Sequence, residues 1–219
     1  MPGPVARPER RLRALLGAVI LGVTVALVSS CTSLRVAHDA PPSSSATVST
    51  AADRATLAAL TAAIRDRDRL DFDHLLATRD PRFTAAAARI YDNLSKLPLT
   101  SFSLRLGGRQ QRVSPQRQAM LQDPARVQQV IVTWQLVGDS GVAEHRLWFT
   151  FVTMGSVSRL AGTADGPVER AAQPVWLLDR LRVQRTAATT ALVSESDATA
   201  GTDWGQRGDA AAAVVRARV

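Results

Sequence analysis

Two periodicities divide the chain. From about Asp53 the apolar residues recur with helical spacing. Leu57, Leu60 and Ile64 fall at i, i+3 and i+7, the pattern of one buried helix face. The alternating charges Arg65-Asp66-Arg67-Asp68-Arg69 follow, a solvated stretch whose local pairs are worth about 0.3 kcal/mol each. Leu70, Phe72, Leu75 and Leu76 then return to apolar positions. The spacing predicts one long helix broken near Asp71–Asp73, or two helices. Asp80-Pro81 is a start signal, with Asp at the cap and Pro at the first helical position. Behind it Phe83, Ala87, Ile90 and Leu94 share a face. The run Ala85–Ala88 permits close approach to a neighbour, and Pro98 ends the element.

The period then falls to two. Phe102, Leu104 and Leu106 alternate with polar residues, and Gly107-Gly108 is expected to turn the chain. Val127–Val137 reads as a strand with Val130, Val132, Trp134 and Leu136 on one face. After the turn Gly138-Asp139-Ser140-Gly141 comes Ala143–Met154, with Leu147, Phe149 and Phe151 on one face and Trp148 and Val152 on the other. Apolar groups on both faces mark a central, covered strand. A shorter strand is expected near Val157–Ala161, a loop over Gly162–Pro174, and strands at Trp176–Arg185 and Ala191–Val193. Trp204–Val219 has helical spacing, with Ala210, Ala213, Val214 and Ala217 available for packing, but no evident partner element. Helices followed by long antiparallel strands make an α+β domain, expected over residues 53–187. Residues 188–219 form a strand-and-helix extension, either a tail or the start of a truncated second domain.

The N-terminus adds an address. Leu15 to Val28 is a run of fourteen uncharged, mostly apolar residues, preceded by Arg7, Arg10, Arg11 and Arg13 against the single acid Glu9. A basic segment, a short apolar run and small residues before a cut site make a secretory signal. As a helix the run reaches only about 21 Å, short of a hydrocarbon core of about 30 Å. Val28-Ser29-Ser30-Cys31 resembles the lipobox of bacterial lipoproteins. That resemblance implies a signal peptide over residues 1–30 and acylation of Cys31 as the mature N-terminus. Cys31 is the chain's one cysteine, which excludes an intramolecular disulfide. Residues 31–52, with Ala40-Pro41-Pro42-Ser43-Ser44-Ser45, read as a disordered tether.

The order and lengths of the elements resemble the NTF2-like (SnoaL-like, cystatin-like) α+β fold, a curved antiparallel sheet packed on N-terminal helices. The resemblance rests on Leu57–Ala77, the Asp80–Leu97 helix with Ile90-Tyr91-Asp92-Asn93-Leu94, and the hairpin Val127–Met154. The whole layout, with Pro174-Val175-Trp176 and an alanine-rich helix behind it, is similar to actinobacterial lipoproteins that continue into a gluzincin-type peptidase domain. Their zinc site is His-Glu-x-x-His. The three histidines of this chain, His38, His74 and His145, do not stand in that context. Mce-associated proteins resemble the layout too, but keep an uncleaved helix.

Candidate chemistry is sparse. Asp71, Asp73 and His74 form the most catalytic-looking cluster, since isomerases and cyclases of the NTF2-like fold use a carboxylate base in an apolar pocket. Helix capping is the plainer account of aspartates at a break. Glu144 and His145 are strand neighbours that point to opposite faces, and His38-Asp39 lies in the tether. No metal or cofactor site is therefore expected. Arg105, Arg109, Arg112 and Arg117 form a basic stretch that could meet lipid head groups, or could simply guard a sheet edge. Trp134, Trp148 and Phe149 are the candidate lining of a ligand pocket. The net charge is +8, and Lys96 is the one lysine. The leader takes only four of the basic residues with it, so the balance stays positive. Without aromatic interleaving and with an export signal, nucleic acid is not an expected partner.

Together these features point to a lipid-anchored, non-catalytic binding or interaction protein on the extracytoplasmic face of the cell membrane, with an envelope protein as a possible partner. The alternatives are an accessory module of a metallopeptidase-type lipoprotein and a small-molecule isomerase or cyclase.

Overall fold

The computed structural model describes residues 44–167, 173–196 and 203–217, all within one unit spanning 41–219. Helix α1 (Ser44–Asp66) reaches back into the stretch read as tether. Its buried face carries Leu57, Leu60, Ala63 and Ile64. The break comes earlier than the expected Asp71–Asp73. Arg67 turns left-handed at φ 58°, and the N–H of Asp68 closes the helix on Ala63 O at 2.8 Å. Asp68 then caps α2 (Arg69–His74) by accepting from the N–H of Asp71 at 2.9 Å. The alternating charges thus contain both the stop and the next start. Helix α3 (Pro81–Lys96) begins as predicted, with Asp80 accepting from the N–H of Arg82. Phe83, Ala87, Ile90 and Leu94 are buried along it.

Strands β1 (Leu99–Gln111), β2 (Ala125–Leu136), β3 (Ala143–Met154) and β4 (Val157–Gly162) form one antiparallel sheet in sequence order. A short helix, α4 (Pro115–Leu121), lies between β1 and β2. Gly107-Gly108 does not turn the chain. β1 runs on, and its register against β2 slips between Leu106↔Val130 and Gln110↔Gln128. A Cβ on Gly107 would stand 2.8 Å from Gln129 Oε1 and 3.1 Å from Gln129 O, so glycine lets a bulge press onto the neighbouring strand.

The inner sheet face, with Phe102, Val130, Val132, Leu136, Leu147, Phe149 and Phe151, packs on the helices in one core. The outer face of β2 and β3 is covered as well. Val127 and Thr150 are fully buried, and Val152 packs with Ala77, Leu121 and Ala161 in a second, smaller cluster. The free edge of β4 is occupied too, because the N–H of Leu160 donates to Leu75 O and the N–H of Ala77 to Leu160 O.

The expected strand from Trp176 is instead a single helical turn, α5 (Val175–Leu178), followed by β5 (Leu181–Arg185). Adjacent Trp176 and Leu177 are both buried in the same core, which a helical turn allows and one-sided strand alternation does not. β5 pairs with β6 (Thr190–Ser194) in a separate two-stranded sheet. The domain limit expected at 187/188 therefore cuts a hairpin. Helix α6 (Trp204–Arg216), capped by Asp203, does have a partner. A Cβ on Gly208 would lie 2.5 Å from Thr189 Cγ2, and Asp209 accepts from Thr186 Oγ1 at 2.6 Å and from the N–H of Ala188 at 3.2 Å. Ala210, Ala213, Val214 and Ala217, expected to pack, are exposed instead.

Two buried side chains tie these layers together. Asp53 on α1, fully buried, accepts from Arg126 on β2 through both carboxylate oxygens and from Ser158 Oγ on β4 at 2.5 Å. Arg126 also donates to Thr153 Oγ1 on β3. Asn93 on α3, equally buried, donates to Trp176 O at 2.9 Å and Asp179 O at 2.6 Å and accepts from the N–H of Leu181 at 2.9 Å.

Arg126→Met leaves the Asp53 carboxylate buried without its cation and should cost about 4 kcal/mol. The double change Asp53→Leu with Arg126→Met should recover most of that loss. Urea denaturation midpoints of the three proteins check both expectations.

Candidate functional site

The three residues expected to line a pocket do not converge. Trp134 and Phe149 share the inner face, but Trp134 sits opposite Ala143 and Phe149 opposite Gln128. At about 3.3 Å per residue they stand roughly 20 Å apart along the sheet. Trp148 is on the other face, beneath Gly166, with the Arg109 guanidinium carbon 5.6 Å from its ring centroid. Phe149 is core, and Trp134 stacks on His145 with 6.2 Å between centroids. The β-strand period separates what looked adjacent in the sequence.

The space between sheet and helices is filled. The cavity there measures about 30 Å³, bounded by apolar side chains such as Leu60, Phe72, Phe83, Phe149 and Trp176. That is room for a water, not for a substrate ring. Asp71, Asp73 and His74 are all on the exposed side of α2. Asp73 pairs with Arg69 at 2.8 Å, and the His74 carbonyl accepts from Arg159. These residues thus shape a helix surface and do not face the interior. Glu144 lies near Arg105 and Arg146 on the outer sheet face, at 3.5 and 3.6 Å. Among the described residues no three His, Cys, Asp or Glu side chains gather as a metal site, and no helix is long and apolar enough to cross a membrane. The leader, Cys31 and His38-Asp39 fall outside the described residues.

The basic stretch also separates. Arg105 faces Glu144, and Arg112 is exposed. Arg117 turns inward and becomes the hub of a polar cluster that sequence reasoning did not find. Its guanidinium donates to Asp80, to Asp165 Oδ2 at 3.1 Å and to Ala161 O at 2.7 Å. Asp165 in turn accepts from Thr150 Oγ1 at 2.5 Å. Asp80, the cap of α3, thereby joins α3, α4 and the loop after β4. Burial pushes its carboxyl up, but the Arg117 guanidinium and the N–H groups of Phe83 and Arg82 outweigh that and hold it below the usual range. The signal in the sequence was a capping Asp with no further acidic residue in its helix's first turn, which does not reveal a distant cation.

No protein-family model, curated protein or solved structure matches the chain.

The folded Asp80 carboxyl titrates below its unfolded counterpart, so its contribution is whole above about pH 4 and fades as the pH falls further. Asp80→Asn should therefore flatten the acid limb of the stability profile between about pH 4 and pH 2. Arg117→Ala should cost about 3 kcal/mol at neutral pH by stranding two carboxylates. Thermal unfolding across pH measures both.

Proposed function

We propose that this protein is an envelope lipoprotein, anchored through acylated Cys31 on the extracytoplasmic face of the membrane, whose NTF2-like α+β domain works by surface recognition. The observation that carries this reading is the fourteen-residue apolar run from Leu15 to Val28, behind four arginines and directly ahead of Ser29-Ser30-Cys31. One acyl chain holds a protein only marginally at a bilayer and two hold it stably. A diacylglycerol on Cys31 would anchor the chain without a spanning helix.

The described domain supports recognition over turnover. An NTF2-like isomerase needs an acid or base inside an apolar cavity large enough for its substrate. Here Trp176, Phe149, Phe72 and Leu60 close that interior, and Asp71, Asp73 and His74 stand outside it. The fold is nonetheless built to endure without a disulfide. Two buried polar junctions, Asp53–Arg126 and Arg117–Asp80–Asp165, brace a core continuous from α1 to β5. A rigid, cystine-free domain with a closed interior offers its partners a fixed outer surface.

Mass spectrometry of the protein purified from its native membrane should find an N-terminal peptide starting at lipid-modified Cys31. A Cys31→Ser variant should retain its leader. An unmodified peptide running continuously through Cys31 overturns the assignment.

A further inference from the structure

The first turns of α1 and the bulged end of β1 leave a cleft of about 450 Å³ between them, within the usual range of ligand pockets, about 300–1,000 Å³. We infer that this cleft binds a short peptide in extended form, paired with the open edge of β1 and completed by the side-chain amide of Gln128. The inference deepens the recognition reading given above and rests on it for its role at the envelope.

Both walls turn their residues to the same space. Thr50, Arg54 and Ala58 are spaced i, i+4 and i+8, one row along α1. Leu104 and Leu106 share one face of β1. Gln128 is on that face of β2, two positions before Val130, the partner of Leu106.

Gln128 sets the cleft apart. Of the eight polar residues buried among those described, six are hydrogen-bonded through their side chains, as Asp53 and Asn93 are. The other two are Gln129, which packs beneath Gly107 on the outer face, and Gln128. Gln128 is only 6 % exposed, and its amide meets no hydrogen-bonding group among the described residues. That amide is not sealed in, because Gln128 forms part of the cleft wall. A buried amide left incomplete costs stability. Its carbonyl accepts and its NH2 donates, so it matches the N–H and C=O of a peptide unit.

The edge of β1 points to the same ligand. β1 is an outermost strand of its sheet. The N–H of Leu104 faces away from β2 and donates to Thr61 Oγ1 on α1 at 3.1 Å. By the two-residue period the N–H and C=O of Leu106 face the same way, and none of the described residues meets them. Helix α1 thus covers the edge at Leu104 and leaves it open at Leu106, where the cleft begins. An extended peptide adds to such an edge through its main chain. Leu57 and Leu104 supply apolar contact for its alternate side chains.

Amide hydrogen exchange of the full chain in detergent micelles, resolved by NMR, tests this. The probe is a pool of N-acetyl tripeptide amides built from alanine, valine, serine and asparagine, at millimolar concentration. The pool is expected to slow exchange at the Leu106 N–H about ten-fold and to shift the Gln128 side-chain amide signals, while the Leu104 N–H, already bonded to Thr61, changes less than about two-fold. Gln128→Leu should abolish the slowing. So should Ala58→Phe, which fills the cleft from an exposed helix position. Slowing that survives both substitutions places the peptides elsewhere and overturns the site, as does no slowing at all. Equal slowing by the same pool with N-methylated peptide bonds overturns main-chain pairing. The state of Cys31 does not enter this readout, so the cleft and the lipid anchor fail separately.

Discussion

A single charge pair sets how the helical layer meets the sheet. Asp53 is fully buried, and its oxygens are satisfied there by Arg126 and Ser158. Burying such a pair contributes little net stability, because desolvation offsets most of the attraction. What it supplies is position. Sliding α1 by one turn would move Asp53 about 5.4 Å from its guanidinium, and Leu57, Leu60 and Ile64 would lose their places over the sheet at the same time. Apolar faces tolerate several near-equal packings, whereas a carboxylate gripped through both oxygens tolerates one. Asn93 does the same at the other end, where α5 and β5 depend on three bonds to one buried amide.

Much of the architecture was legible from spacing because the core is built from faces. The α3 start at Asp80-Pro81, the face Phe83–Ala87–Ile90–Leu94 and the two-sided burial of β3 follow from periods of 3.6 and 2. The misplacements share one cause, which is that local signals do not know their tertiary neighbours. Gly107-Gly108 carries the composition of a turn, yet it serves close approach to Gln129. Trp176 carries the composition of a strand, yet the core beside Phe102 takes its ring edge-on at 6.4 Å, and a helical turn delivers it there. In α6 the exposed alanines and valines looked like the packing face, whereas Gly205 and Gly208 make the contact with Thr186 and Thr189.

The same limit governs the charged residues. Arg105, Arg109, Arg112 and Arg117 are neighbours in sequence but serve different ends once folded. One balances Glu144, one covers Trp148, one is solvated, and one is an internal hub for Asp80 and Asp165. An arginine that is already neutralised and enclosed has little field left to offer a ligand.

What remains free to act is therefore decided by what the fold has already consumed. The interior is spent on apolar packing, the buried carboxylates on arginines, and the outer face of β2 and β3 on α4 and the loop carrying Asp165 and Gly166. At the end of α3, Lys96 Nζ donates to Leu181 O and Arg185 Nη2 to Lys96 O, which ties that end to β5. The cleft between α1 and the bulge of β1 is spent on none of these. A fixed group of cations is a more selective device than net positive charge. Net charge attracts every polyanion at long range and is screened within about 8 Å at physiological salt. Donors fixed by hydrogen bonds favour a ligand whose oxygens match their geometry.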